Sequence, residues 1–334
     1  MDLYRFDWLA RRVEDPVDPG RQIVDAHHHL WDREGGIYLA GDLLADTGAG
    51  HNVVQTVFVE CRSKYDRDAP GHLAPVGETR FVADQADECR AHGGSTIEAI
   101  VSFADMMLGE SVEEVLGAHE NAGRGLFRGI RHATAIDVDA GRSHTDPTDG
   151  MMGTIQFRSG VAKLAEMGHS FDAWLFHHQV DELTGLARAV PEASIVLDHL
   201  GGPLGVGHHA GLEVEVMTAL RASLVQLSEC PNVVVKLGGI GMDRYFGGGW
   251  PELDAPPSSD DVAARWGDQI RWTIDTFGPE RCLFESNFPV DRETLPYGVL
   301  WNALQKIAVG YSDGEQDRLF AGTARHVYRF DAPN

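Results

Sequence analysis

The chain has 334 residues, 43% of them hydrophobic, with 51 acidic against 28 basic residues and a formal net charge of −23. That length supports a large core, and so acidic a surface repels nucleic-acid backbones and anionic lipid, which argues against both as partners. Cys61, Cys89, Cys230 and Cys282 show no paired spacing and read as reduced thiols, and with no signal core or membrane-length apolar run the chain reads as a soluble, cytoplasmic protein.

Residues 1–22 read as a polar leader packed on the domain that follows, and 23–334 as one domain. The first apolar run, Ile23–His29, ends in His27-His28-His29. Alternation along a strand predicts that His27 and His29 face one way and His28 the other, so the strand end carries half of a metal site or an acid/base pair. A His-rich strand end can equally be a polar loop start. Seven further short apolar or β-branched runs follow at Val53–Glu60, Ile97–Phe103, Leu126–Arg131, Phe171–His177, Ser194–His199, Val233–Leu237 and Arg281–Ser286. Helical periodicity appears at Thr79–His92, Ile155–Met167, Asp181–Val190, Leu212–Cys230, Asp260–Phe277, Leu300–Val309 and Gly314–Tyr328. Apolar strands alternating with helices predict a (β/α)8 barrel, an α/β fold whose strand ends converge on one rim. A doubly wound sheet fits less well, because the first strand ends in histidines instead of a Gly-rich turn. At the strand ends stand His27 and His29, Glu60, Asp105, Arg128 with Arg131 and His132, His177 and His178, Asp198 and His199, Lys236, and Glu285 to Asn287. The stretches 63–78, 104–123, 137–153, 202–211 and 242–261 read as the loops that decide specificity, the last carrying a Gly-Gly-Gly-Trp segment.

Five segments carry a resemblance: Val24-Asp25-Ala26-His27-His28-His29-Leu30-Trp31-Asp32, Phe127 to His132, Ile195 to Gly201, Phe284-Glu285-Ser286-Asn287-Phe288-Pro289-Val290-Asp291, and Gly322 to Tyr328. In this order, across residues 23–328, they resemble the amidohydrolase-related hydrolases of the amidohydrolase superfamily, a group that includes sugar-acid lactonases and pyrone-dicarboxylate lactonase. The resemblance implies an amidohydrolase-like barrel and a metal set of His27, His29, His177 and His199. It implies one divalent metal, zinc or manganese, although some lactonases of the group are thought to work without one. It also brings a departure. Relatives usually end the eighth strand with an aspartate that binds the metal or activates water, and here the position holds Asn287. A neutral amide accepts no proton from water and is a weak ligand. Three repairs are open: Asn287 orients the water, Asp291 reaches back from four residues on, or Glu60 or a histidine acts as the base.

Arg128 and Arg131, three residues apart, face opposite ways, so one of them is expected in the pocket, either gripping a substrate carboxylate or paired with Glu60 or Asp198. Lys236 carries the same two readings, and Asp198 is expected to point away from the side His199 faces. The catalytic candidates are thus His199, Asn287, Asp291, Arg128 and Arg131, and the substrate-binding candidates Glu60, Trp31, His132 and Lys236. Tyr65, Phe103, Trp250 and Phe288 are further aromatic candidates for the wall. The leading functional expectation is hydrolysis of a lactone or similar cyclic ester of a small carboxylated molecule. The alternatives are metal-dependent decarboxylation of an aromatic or enol acid on the same scaffold, and a non-catalytic binding barrel. A homodimer is compatible with an acidic barrel.

Overall fold

The computed structural model describes residues 5–33, 36–246 and 249–333. Eight parallel strands run in simple order: β1 Ile23–His28, β2 Val53–Val59, β3 Thr96–Ser102, β4 Phe127–Arg131, β5 Ser170–Ala173, β6 Ser194–Leu197, β7 Val233–Leu237 and β8 Cys282–Phe284. The residues just past β8 close the ring. Asn287 N–H donates to the His27 carbonyl (2.8 Å) and His29 N–H to the Phe288 carbonyl (2.7 Å), with a bridge between His28 and Phe288. The fold is the expected (β/α)8 barrel.

Period-2 alternation divides each strand between two cores. Val24, Ala26, Val57, Val59, Ala99, Val101, Val196 and Leu283 fill the lumen, where Ala324 and Tyr328 of the short helix Thr323–Tyr328 pack against them. Phe58, Ile97 and Ile100 face one outer cluster, and Phe171, Ile195, Leu197, Val233 and Val235 another. Lys236, next in phase after Val234, is thereby turned inward, as Asp172 is next to Phe171.

Eight helices wrap the strands: α1 Ala40–Thr47, α2 Val76–His92, α3 Val112–Ala122, α4 Ile155–Glu166, α5 Val180–Ala189, α6 Glu213–Ser228, α7 Ser259–Phe277 and α8 Tyr297–Ala308. The start of α7 shows how they are set. Ser258 Oγ accepts from Asp261 N–H while Asp261 accepts from the Ser258 N–H at 2.8 Å, a reciprocal cap of the kind that stabilises a helix by about 0.5–2 kcal/mol. Two stretches differ from expectation. Residues 104–123, read as loop, hold a 3-10 turn and α3, whose Val112, Val115 and Leu116 are buried at helical spacing. The α1 helix, with one strongly apolar turn, has too few core positions to show periodicity.

The leader lies against the α7 and α8 side of the molecule: Trp8 Nε1 donates to the Leu253 carbonyl (2.8 Å), Ser259 N–H to Glu14 (2.9 Å) and Val17 N–H to Asn302 (2.9 Å). Gly247 and Gly248 of the expected Gly-Gly-Gly-Trp loop, and residues 1–4 of the leader, lie outside the described residues. No helix among those described is long and apolar enough to cross a membrane.

Candidate active site

At the C-terminal rim a cavity of about 180 Å³ opens between the ends of β1, β4, β6 and β8. His29, Trp31, Arg131, His199 and Asn287 line it. A register shift near the end of β1 lets the chain turn there, and the rings of His27 and His29 lie 4.9 Å apart. His28 points the other way, against Phe58. On β6 the strand stops at Leu197, and His199 takes a left-handed conformation (φ 53°). Strand alternation therefore lapses, and the His199 ring comes within 4.6 Å of that of His27. The expected separation of Asp198 from His199 fails for the same reason: Asp198 enters the lumen while the turn brings His199 back over it.

Beneath the cavity lies a buried ion network. Lys236 Nζ lies 2.8 Å from Asp172 and 3.1 Å from Asp198. Arg131 binds Glu60 through Nε (2.8 Å) and the Glu60 carbonyl through Nη2 (2.6 Å), with Asp198 at 3.5 Å. Glu285 receives two imidazoles: His199 Nδ1 at 2.7 Å and His27 Nδ1 at 2.8 Å. Burial pushes the Glu60 and Glu285 carboxyls up, but Arg131 and His144 bring Glu60 down to about 2, and His199 and His27 bring Glu285 down to about 2. Burial, and then the Lys236 ammonium, lower His27; burial, then His27 and Arg131, hold His29 well below the usual imidazole range. Both rings are therefore neutral at pH 7.

The hydrogen bonds fix which nitrogens face the cavity. His29 Nδ1–H donates to the Val59 carbonyl (2.8 Å), and His199 Nδ1–H to Glu285, so each turns an Nε2 lone pair toward the open side. His27 does not reach the cavity: it is fully buried, with Nδ1 2.8 Å from Glu285 and 3.2 Å from Lys236 Nζ, and Nε2 3.3 Å from Arg131 Nη1. Asn287 donates Nδ2–H to Asp291 (2.7 Å), which leaves its Oδ1 facing His29 Nε2 at 3.3 Å. Two acceptors thus confront each other. A cation between them resolves the contact, and the four carboxylates of the network, against two cations, favour one. His29 Nε2 and Asn287 Oδ1, both on the cavity wall, fit a divalent metal in this respect. Without a metal, the contact closes if Asp291 is protonated, which burial strongly favours. Its hydroxyl then donates to the amide oxygen, and the amide NH2 turns to His29.

The structure sorts the remaining expected residues. Trp31 lines the cavity, its ring roughly parallel to that of His29. Arg131 enters and Arg128 does not: its guanidinium bonds the carbonyls of Gly125 and Phe127 on the outer face. Glu60 and Lys236 are fully buried in the network below, held by other side chains and not lining the cavity. His132 is buried against Phe103 and Phe157 and accepts from Met106 N–H. Asp291 reaches back to Asn287, and its other oxygen accepts from Gly241 N–H (2.7 Å). His177 is the largest displacement. β5 ends at Ala173, four residues early, and His177 opens a 3-10 turn that packs it against His178 and His209 instead of His27 and His29. Tyr65, Phe103, Trp250 and Phe288 do not line the cavity, whereas Trp174 does. Sequence reasoning placed Glu285 at a strand end without giving it a role. It also passed over Arg33 and His144, whose loops carry no readable signal; His144 Nε2 lies 3.2 Å from Glu60.

Comparison with known proteins agrees with this fold. The family described as amidohydrolase matches residues 24–330. The "Uncharacterized protein y4mH" of Sinorhizobium fredii is 30% identical over 330 residues, covering 92% of this chain and 98% of its own. An L-fucono-1,5-lactonase of Burkholderia multivorans is 26% identical over 330 residues, covering 94% and 98%. An amidohydrolase from Burkholderia multivorans solved with bound zinc superposes with a TM-score of 0.72 at 22% identity, covering 93% of this chain and all of that one.

Proposed function

The chain belongs to the amidohydrolase family, and we propose that within it this protein hydrolyses a lactone of a small hydroxylated or carboxylated acid. The observation that carries the reading is the pair Glu285–His199, a carboxylate fixing Nδ1–H of an imidazole that lines the cavity. In that arrangement His199 Nε2 takes a proton from water as the oxygen attacks the lactone carbonyl, and Glu285 stabilises the imidazolium that forms. The new C–O bond places negative charge on the former carbonyl oxygen, which the Arg131 guanidinium in the cavity wall attracts. When the ring C–O bond breaks, His199 returns the proton to the departing alkoxide, and the product is an open-chain hydroxy acid. A divalent metal, held at His29 and Asn287, would polarise the carbonyl and acidify water when bound; zinc is the candidate that the zinc-bound relative supports. Arg131 is already committed to Glu60 and Asp198, so a substrate carboxylate falls to Arg33 at the mouth, beside Trp31. The L-fucono-1,5-lactonase relatives support a lactone as the substrate class.

The test is a panel of sugar-acid γ- and δ-lactones followed by acid release, run beside aromatic carboxylic acids followed by CO2 release. Lactone turnover that falls by about 10²–10⁴-fold in His199→Ala supports the reading. CO2 release with no lactone opening would overturn it.

A further inference from the structure

A second group of imidazoles stands at the rim, away from the cavity. The turn after β5 carries His177 and His178, the loop after β6 carries His208 and His209, and the hairpin after β4 carries Asp137 and Asp139. One ring nitrogen from each of His177, His178 and His209 lies within 4.8 Å of the others. The ring centroids of His177 and His209 are 4.8 Å apart, and those of His177 and His178 5.2 Å. His178, His209 and Asp137 border a separate hollow of about 640 Å³ whose lining shares no residue with the catalytic cavity.

The hydrogen bonds around the cluster orient two of its rings. His209 Nε2–H donates to Asp137 Oδ2 (3.1 Å), and Asp137 Oδ1 is itself fixed by the N–H groups of Asp139 and Ala140, both at 2.9 Å. His178 Nε2–H donates to the Ile136 carbonyl (3.1 Å). Both rings are thereby left with Nδ1 lone pairs that no hydrogen bond occupies. An imidazole whose far N–H is tied to a carboxylate or a backbone carbonyl is how proteins present a histidine to a metal. His177 Nδ1 accepts only a long bond from Leu204 N–H (3.3 Å), which a metal could displace.

We propose that His177, His178 and His209 form a second site, binding a divalent first-row transition metal of the zinc type, with Asp137 positioning His209 behind it. Three imidazole donors with an open fourth position match that class of ion in preference to calcium or magnesium, which take oxygen donors. The site joins the loops that follow β4, β5 and β6. The first of these also carries His144, which lines the catalytic cavity and contacts Glu60. Occupancy therefore pins a wall of the cavity without touching the reacting atoms, and it does not depend on which reaction the cavity performs.

Co2+ titration of the full chain, read by its visible d–d bands, tests this. Wild type is expected to bind one more equivalent than the double variant His178→Ala/His209→Ala, while His29→Ala retains that equivalent. Asp137→Asn should weaken its affinity roughly 10–100-fold. Circular dichroism identical to wild type establishes that the double variant is folded, and His178→Gln, at an exposed position, gives a milder check. Equal stoichiometry in wild type and double variant would overturn the proposal, as would binding that Asp137→Asn leaves unchanged.

Discussion

At position 287 an amide stands where the resemblance leads one to expect a carboxylate, and its neighbour decides the consequence. Asp291, fully buried, holds Asn287 from behind and keeps a carboxyl one hydrogen bond away from it. Asn287→Asp would set two carboxyls 2.7 Å apart at this contact. We expect the variant to melt lower than wild type in chelator and to gain more than wild type on adding zinc, because only a cation or a proton relieves the pair. A thermal shift by zinc no larger than that of wild type would show that position 287 does not face the metal. At Glu285 the prediction is kinetic. Glu285→Gln keeps the shape but removes the charge that stabilises the His199 imidazolium, so kcat should fall by about 10²–10⁴-fold with little change in KM. A variant that loses only KM would remove His199 from the role of base.

Among the elements, the ends of β7 and β8 are built to touch. A Cβ at Gly238 would lie 2.4 Å from Glu285 Cγ and 2.5 Å from its carbonyl oxygen, so the glycine is what allows Glu285 to sit between His27 and His199. Gly238→Ala should cost about 1–3 kcal/mol in denaturant unfolding and lower kcat as well, since the strands must part where the carboxylate is anchored. Inside the barrel, Lys236 neutralises Asp172 and Asp198 with no solvent to replace it. Lys236→Met removes that charge from a sealed site and should destabilise by about 3–5 kcal/mol, measured by the same unfolding midpoint. A near-wild-type midpoint would mean that the two aspartates find another counter-charge.

For the whole molecule, pH dependence follows from buried titratable groups. His119 is sealed between Thr79 and the Phe103 carbonyl, and burial lowers it to about 4; His132 is lowered to about 4 likewise. In the unfolded chain such groups take a proton near pH 6.5, whereas the folded protein resists until about pH 4. At these histidines the unfolded state thus binds more protons across that window, so their contribution to stability is full above 6.5 and declines as pH falls toward 4. Glu60 and Glu285, lowered to about 2, add their own loss only below the normal carboxyl range. Glu78, raised by burial to about 8, and Asp25, raised to about 6, act in the opposite sense, so the histidine contribution is read by difference: relative to wild type, the unfolding midpoint of His119→Gln should rise as pH falls from 6.5 to 4. An unchanged difference would exclude His119 as a contributor.

Much of this molecule could be read from its chain. Eight apolar runs with helices between them determine the barrel, because the period of the apolar residues decides which faces must be buried. The strand-end positions of His27, His29, Arg131, His199 and Asn287 also follow from local pattern, and each of the five borders or underlies the cavity. What escaped depends on where strands stop and how the chain turns beyond them. β5 ending at Ala173 sends His177 to a different cluster, and the left-handed turn at His199 brings that ring beside His27; neither terminus is marked by residue type. The choice between ion pair and substrate clamp for Arg131 and Lys236 was likewise left to the tertiary structure. It depends on carboxylates up to 71 positions away in the chain, brought into contact only when the barrel closes.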